Sequence, residues 1–184
     1  MSRRILATIG WARAIRLKKA TSVLALVCLG TVAAWPASAG EGLVHKAAPV
    51  FVRHDLHGKR VSLRDERGKV VLLNFWATWC APCQLELPRF VEWQQRYGPE
   101  GLEVIAVSMD DDAGPVRALI EKLKPGFPVV MGDERLGLEY GGILGLPVTY
   151  LIGRDGRVAA RIAGESDLND MKSKVVKLLG QRDR

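Results

Sequence analysis

Two cysteines separated by two residues, Cys80 and Cys83, constrain this chain more than any other feature. They stand between an almost continuously apolar run, residues 70–76, and a helix-like segment that begins near Ala81. A buried strand that leads directly into a helix would place Cys80 at the helix N-terminus, where unpaired N–H groups and the helix dipole favour a thiolate. The pattern therefore predicts a pair that can close and reopen a small disulfide ring.

The first 39 residues are expected to form an export signal, which leaves residues 40–184 as a single domain. The signal contains six basic and no acidic residues. Its apolar part, residues 20–34, is shorter than the roughly 20 residues that a spanning helix needs. Ala37-x-Ala39 has the small-x-small pattern of a signal-peptidase site, so we expect cleavage after Ala39, with an uncleaved N-terminal membrane anchor as the alternative.

The basic character of the whole chain belongs to this first segment. The full chain has a formal net charge of +7, but after residue 39 it carries 21 Lys and Arg against 20 Asp and Glu. The domain is near neutral and shows no basic stripe, so no nucleic-acid partner is expected.

The number of cysteines favours catalysis over scaffolding. Export would put the domain outside the reducing cytosol, where disulfides persist. Because Cys28 lies inside the signal, only Cys80 and Cys83 remain in the domain. A bridge between them closes a loop too short to stabilise the fold much.

Apolar periodicity predicts a mixed sheet with helices on its faces. The predicted strands cover residues 51–56, 59–63, 70–76, 102–108, 129–130, 147–152 and 157–163, and the predicted helices cover 81–97, 113–124, 135–140 and about 168–179. Residues 65–69 are expected to form a polar loop, and the acidic run 110–112 to cap the next helix rather than to bind a cation. A βαβ unit followed by an antiparallel hairpin and a helix gives an α/β fold.

Three separated signals together resemble the thioredoxin fold. They are the Trp79–Cys83 segment between strand and helix, Pro88 within the helix, and Gly145–Thr149 ahead of a strand. The extra N-terminal hairpin, the string Asn74–Cys80 and the triplet Glu86–Pro88 are similar to the TlpA/ResA-like branch of exported or membrane-anchored thiol–disulfide oxidoreductases. The resemblance covers about residues 43–180.

This resemblance implies dithiol–disulfide exchange on exported proteins, often reduction during cytochrome c maturation. Apocytochrome c is the leading substrate that it implies, a membrane thiol carrier the electron donor, and the periplasm or another extracytoplasmic compartment the location. No bound cofactor is expected. The resemblance also implies that Pro147 follows a cis peptide bond and faces the cysteines, and the backbone of Leu146 would then pair with an extended substrate segment. Trp79 would line the surface beside Cys80, and Pro82 would stiffen the ring.

In such a site, Cys80 is expected to attack a substrate disulfide, and Cys83 to resolve the mixed disulfide. Asn74 occupies a strand position where thioredoxin itself carries an acid, and an amide cannot shuttle protons. Glu86 matches an active-site glutamate of the ResA-like proteins and is the candidate acceptor of the Cys83 proton, if it is buried and its pKa is raised. The alternative is an exposed glutamate that only complements the helix dipole.

Other functions stay open on the sequence alone. The same fold could serve as a disulfide oxidase or isomerase, which a high reduction potential would reveal. A metallochaperone-like module could hold copper through the thiolates, although no Met or His motif lies near them. His54 and His57 could complete a zinc site with the cysteines, but no second Cys-x-x-Cys is present and no metal site is expected. A peroxidase fits less well, because the pair matches an exchange motif.

Overall fold

The computed structural model describes residues 41–181 of the 184-residue chain. The predicted export signal, its cleavage position after Ala39 and Cys28 lie outside the described residues. Within residues 41–181, no helix is long and apolar enough to cross a membrane.

The described part contains seven strands, four α-helices and three short 3-10 helices. The strands are β1 (Val52–His54), β2 (Arg60–Ser62), β3 (Val70–Trp76), β4 (Leu102–Ser108), β5 (Val129–Met131), β6 (Val148–Ile152) and β7 (Val158–Ala163). The helices are α1 (Ala81–Tyr97), α2 (Ala113–Leu123), α3 (Glu134–Glu139) and α4 (Leu168–Leu179). These bounds follow the predicted ones closely. One difference is a 3-10 helix at Leu63–Glu66, which includes the first residues of the predicted polar loop.

Five strands form the central sheet in the order β5-β4-β3-β6-β7, while β1 and β2 form a separate antiparallel hairpin. Strands β3, β4 and β5 are parallel, and β6 and β7 run antiparallel to their neighbours. Every residue of the central strand β3 is buried. Because both faces of β3 are covered, its sequence is apolar almost throughout rather than alternating. The mixed sheet with an additional N-terminal hairpin confirms the predicted architecture.

Alternate residues of β3 enter two hydrophobic clusters. The first cluster includes residues of α1, α2 and α4 and receives Val70, Leu72 and Trp76 from β3. The second includes residues of the hairpin and α3 and receives Val71, Leu73 and Phe75. Since side chains along β3 fill both clusters, the strand can offer a reactive group to solvent only beyond its end, where Cys80 follows.

The residues ahead of β1 are attached to the edge of the sheet. His45 N donates to Val158 O at 2.8 Å, and Ala48 N donates to Gly156 O at 3.0 Å. Val158 N in turn donates to Lys46 O at 2.9 Å. These bonds cover part of the edge strand β7, which otherwise would offer unpaired backbone groups to another chain.

Candidate active site

Cys80 and Cys83 form a disulfide at the start of α1. Cys80 is the N-cap residue, and its Sγ accepts a hydrogen bond from Cys83 N at 3.3 Å. Pro82 lies in the first turn, where its missing N–H leaves no helical hydrogen bond unmade. Cys80 is 6% exposed and Cys83 only 1% exposed, so Cys80 is the more accessible sulfur. Cys80 therefore lies at the helix N-terminus, where the sequence predicted it.

Asp110 holds the turn that leads to Cys80. Its carboxylate accepts hydrogen bonds from Thr78 N at 2.9 Å, Thr78 Oγ1 at 2.5 Å and Ser108 Oγ at 2.8 Å. On the other side, the side-chain amide of Gln84 donates to Thr78 O. Thr78 is therefore held both by Asp110, which follows β4, and by Gln84 of α1. These hydrogen bonds determine where Cys80 enters the helix.

The role of Asp110 was missed in the sequence, where the whole acidic run was assigned to helix capping. Asp112 does cap α2, because its side chain accepts from Gly114 N at 2.9 Å. Asp110 instead accepts hydrogen bonds from Thr78, in the segment that follows the neighbouring strand β3. The parallel register pairs Trp76 with Ser108, and continuing it by two residues sets Thr78 opposite Asp110. Both strands were predicted correctly, but their bounds alone do not give this register, so the sequence carried no local signal for the role of Asp110.

Glu86 is buried in α1, one helical turn after Cys83, with 4% of its surface exposed. Ser166 Oγ donates a long hydrogen bond to Glu86 Oε1 at 3.5 Å, and Oε2 has no partner within residues 41–181. Burial, together with the negative charge of Glu165, raises the pKa of Glu86 to about 7, although the Ser166 hydrogen bond opposes this. The exposed-glutamate alternative is therefore wrong. A carboxyl group with such a pKa can exchange a proton near neutral pH.

The segment ahead of β6 lies at the same end of the sheet as the disulfide. Phe75 of β3 pairs with Val148, the first residue of β6, so Pro147 lies beside the end of β3. The Leu146–Pro147 peptide bond is cis, which agrees with the expectation from the resemblance. Leu146 packs against the hydrophobic cluster that contains both cysteines.

The surface next to the disulfide is open and carries an aromatic side chain. Trp79 is 70% exposed, whereas Trp76, three residues earlier, is completely buried. Two cavities of the described part, of about 1300 and 800 Å³, have no lining residue from the disulfide or its flanking segments. Because Trp79 is exposed directly beside Cys80, the surroundings of the first cysteine suit contact with a polypeptide.

The two histidines considered for a metal site lie in the hairpin. His54 ends β1, and His57 is in the following turn, where its backbone N–H donates to Asp55 Oδ1 at 2.9 Å. Within the described residues, no group of three or more His, Cys, Asp or Glu side chains could hold a metal ion.

This chain is similar to one protein-family model and to several known proteins. The model of the AhpC/TSA family matches residues 44–161. The thiol–disulfide oxidoreductase ResA of Geobacillus thermodenitrificans is 38% identical over 129 residues, which cover 70% of this chain and 74% of that protein. ResA of Bacillus subtilis is 36% identical over 126 residues, covering 67% of this chain and 70% of that protein.

A solved structure extends the likeness to three dimensions. A thiol:disulfide interchange protein of the thioredoxin family from Chlorobium tepidum is 29% identical and superposes with a TM-score of 0.68, covering 73% of this chain and 96% of that chain. The fold is therefore thioredoxin-like, as the sequence predicted. The similar proteins match most of the domain and are named for thiol–disulfide chemistry. This chain carries a Cys-x-x-Cys pair that suits such chemistry. It belongs to the ResA-like thiol–disulfide oxidoreductases of the AhpC/TSA family.

Proposed function

We propose that this enzyme reduces disulfides in other exported proteins, with apocytochrome c during cytochrome c maturation as the leading substrate. The observation that carries the proposal is the Cys80–Cys83 disulfide at the N-terminus of α1, which borders an open surface. Exposed Trp79 directly precedes Cys80, and the Leu146–Pro147 segment leads into β6 beside the end of β3, which supports the proposal. A site of this kind suits a polypeptide substrate that contains its own pair of cysteines.

The reaction starts from the dithiol form of the enzyme. The Cys80 thiolate attacks one sulfur of the substrate disulfide, and the other substrate sulfur leaves and takes a proton. Cys83 then loses its proton and attacks Cys80 Sγ, which breaks the mixed disulfide and releases the second substrate thiol. The substrate gains two electrons and two protons, and the enzyme ends as the Cys80–Cys83 disulfide found in the structure.

Glu86 is the proposed acceptor of the Cys83 proton. It lies three residues after Cys83 on the same helix, so the two side chains occupy neighbouring parts of one helix face. Its pKa of about 7 lets it take up a proton from Cys83 and return it to solvent. Trp79, Pro82, Leu146 and Pro147 are the residues proposed to contact the substrate.

The proposed location is extracytoplasmic. Residues 1–39 would direct the domain of residues 40–184 across the membrane, and would either be removed after Ala39 or remain as an anchor. A membrane thiol carrier would return the enzyme to its dithiol form. The sulfur pair itself carries the electrons, so the cycle needs no bound cofactor.

The test uses an oxidised peptide with the Cys-x-x-Cys-His haem-attachment sequence. We expect the reduced enzyme to release two thiols per peptide, Cys83→Ser to accumulate a mixed disulfide through Cys80, and Cys80→Ser to do neither. Failure of the reduced wild-type enzyme to reduce the peptide would overturn the proposal. The reverse experiment, with oxidised enzyme and reduced peptide, tests the oxidase alternative, which predicts rapid transfer of the disulfide to the peptide.

A further inference from the structure

Leu144 is fully exposed, with a relative solvent accessibility of 101%. Isolated exposed apolar side chains are common on protein surfaces and need no explanation by themselves. The position of Leu144 is what distinguishes it, because it lies in the loop that leads into Leu146, Pro147 and β6.

Leu144 and the exposed Trp79 lie in the two segments that adjoin the same end of the β3–β6 strand pair. Phe75 of β3 and Val148 of β6 face each other in the antiparallel register. Trp79 follows Phe75 by four residues, and Leu144 precedes Val148 by four. Cys80 is the next residue after Trp79, so the two apolar side chains come from the two chain segments that border the disulfide.

The loop that carries Leu144 is anchored rather than loose. At its start, Gly141 N donates to Leu138 O and Gly142 N donates to Gly137 O, both at 2.9 Å. Ile143 then packs against the hydrophobic cluster that contains Tyr140. Since the neighbouring residue is fastened to the core, the exposure of Leu144 follows from the conformation of the loop.

The loop also leaves room for an approaching chain. A Cβ atom added at Gly142 or at Gly145 would meet no atom within 4 Å. Small residues on both sides of Ile143 and Leu144 thus keep the surroundings of the leucine open. The open space beside both glycines agrees with the full exposure of Leu144.

We propose that Leu144 is a specificity-determining residue which, with Trp79, binds an apolar side chain of an unfolded polypeptide close to its cysteine. This inference rests on the proposed function and narrows its substrate class. In an extended chain, side chains alternate and each residue advances about 3.3 Å. A side chain two residues from the substrate cysteine therefore lies on the same side as that cysteine, roughly 7 Å away.

The rim formed by Trp79 and Leu144 selects for unfolded chains. Folded proteins keep most large apolar side chains inside, so an apolar residue beside an accessible cysteine is mainly a property of chains that have not folded. Contact with the rim would remove apolar surface of both partners from water. The enzyme would thus reduce newly exported polypeptides in preference to finished proteins.

The experiment compares two oxidised Cys-x-x-Cys peptides that differ at one position, two residues before the first cysteine, with leucine in one and serine in the other. We expect the wild-type enzyme to prefer the leucine peptide by roughly tenfold in kcat/KM, mainly through KM. In Leu144→Ser this preference should fall to about twofold. Leu138→Ser is the matched control, since Leu138 is 64% exposed but belongs to α3, and it should keep the wild-type preference.

The outcomes separate this inference from the proposed function. If wild type reduces both peptides equally well, or if Leu144→Ser keeps the full preference, the role of Leu144 is wrong while the proposed function stands. An equal loss in Leu138→Ser would also overturn it. If wild type reduces neither peptide, the proposed function fails and this inference fails with it. Thermal unfolding of Leu144→Ser checks that the fully exposed position leaves the fold intact.

Discussion

The side-chain amide of Asn74 donates a hydrogen bond to Thr149 Oγ1 at 2.9 Å, and both residues are almost completely buried. They face each other in the register of β3 and β6. A satisfied amide–hydroxyl pair cannot accept a proton, so this position does not serve as an acid or base. Of the two buried carboxylates in the described residues, Asp110 is fully engaged in hydrogen bonds, and Glu86 has an oxygen without a partner.

The pH dependence of the reaction should follow Glu86. Its pKa is about 7, so below pH 7 it is protonated and cannot accept the Cys83 proton. We expect resolution of the mixed disulfide to accelerate through about pH 7 in wild type. Glu86→Gln should lose this inflection and be slower by about 10–100-fold at pH 8. Stopped-flow tryptophan fluorescence measures the step, and an unchanged inflection in Glu86→Gln would contradict the assignment.

The same carboxyl group should make stability depend on pH. The folded pKa of about 7 lies above the ordinary value of 4.5, so the folded state holds this proton more tightly than the unfolded state. Stability is therefore lost as pH rises from about 4.5 to 7 and stays reduced above that range. We expect Glu86→Gln to be more stable than wild type at pH 8 by about 1–3 kcal/mol, after allowance for partial screening.

Urea unfolding at several pH values checks this expectation. The difference between Glu86→Gln and wild type should shrink as pH falls towards 4.5. Glu121→Gln, at an exposed position of α2, is the matched control and should show no such trend. A Glu86→Gln variant less stable than wild type at pH 8 would mean that the ionised carboxylate is stabilised in the fold.

Removal of the Asp110 carboxylate should loosen the turn before Cys80. Asp110→Ala leaves Thr78 N and the Ser108 hydroxyl without their acceptor, which should cost about 1–3 kcal/mol of unfolding free energy and lower kcat/KM with peptide. Asp110→Asn retains an oxygen acceptor and should recover most of both. The exposed neighbour gives the control variant Asp111→Ala. Equal effects of Asp110→Asn and Asp110→Ala would show that the charge matters rather than the hydrogen bonds.

Gly132 should not tolerate a side chain. A Cβ atom there would lie 2.7 Å from Met109 Sδ, 2.8 Å from Val107 Cγ1 and 3.0 Å from Ser108 O. We expect Gly132→Ala to destabilise the domain by about 1–3 kcal/mol through overpacking, as measured by urea unfolding. Gly42→Ala, where the added atom meets nothing within 4 Å, should be close to wild type. A Gly132→Ala variant as stable as wild type would mean that β4 and β5 can separate easily.

The parts of the fold that the sequence predicted are those fixed by local pattern. The apolar run of β3 and the motif that follows it determine where α1 begins, and β4 was predicted at its observed bounds, Leu102–Ser108. The Asp155-Gly156 turn likewise separates β6 from β7 where the turn chemistry requires it. In each case, the information lies within a few consecutive residues.

The features that the sequence did not predict depend on contacts between distant segments. The pairing of Ala48 with Gly156 joins residues that no local pattern connects. Whether Glu86 is buried depends on the segment ahead of α4 that supplies Ser166, so the sequence alone left two alternatives. The contact of Asp110 with Thr78 depends on the register between β3 and β4, which strand prediction does not supply.

Cys80 and Cys83 are proposed to form a redox couple that reduces protein disulfides. The most direct test of this proposal is the reduction potential of this couple, measured by tryptophan fluorescence after equilibration in thiol redox buffers. A reductase supplied by a membrane electron donor should have a value near that of thioredoxin, about −270 mV. A value near that of DsbA, about −120 mV, would rule out the reductase function and make the protein a disulfide donor.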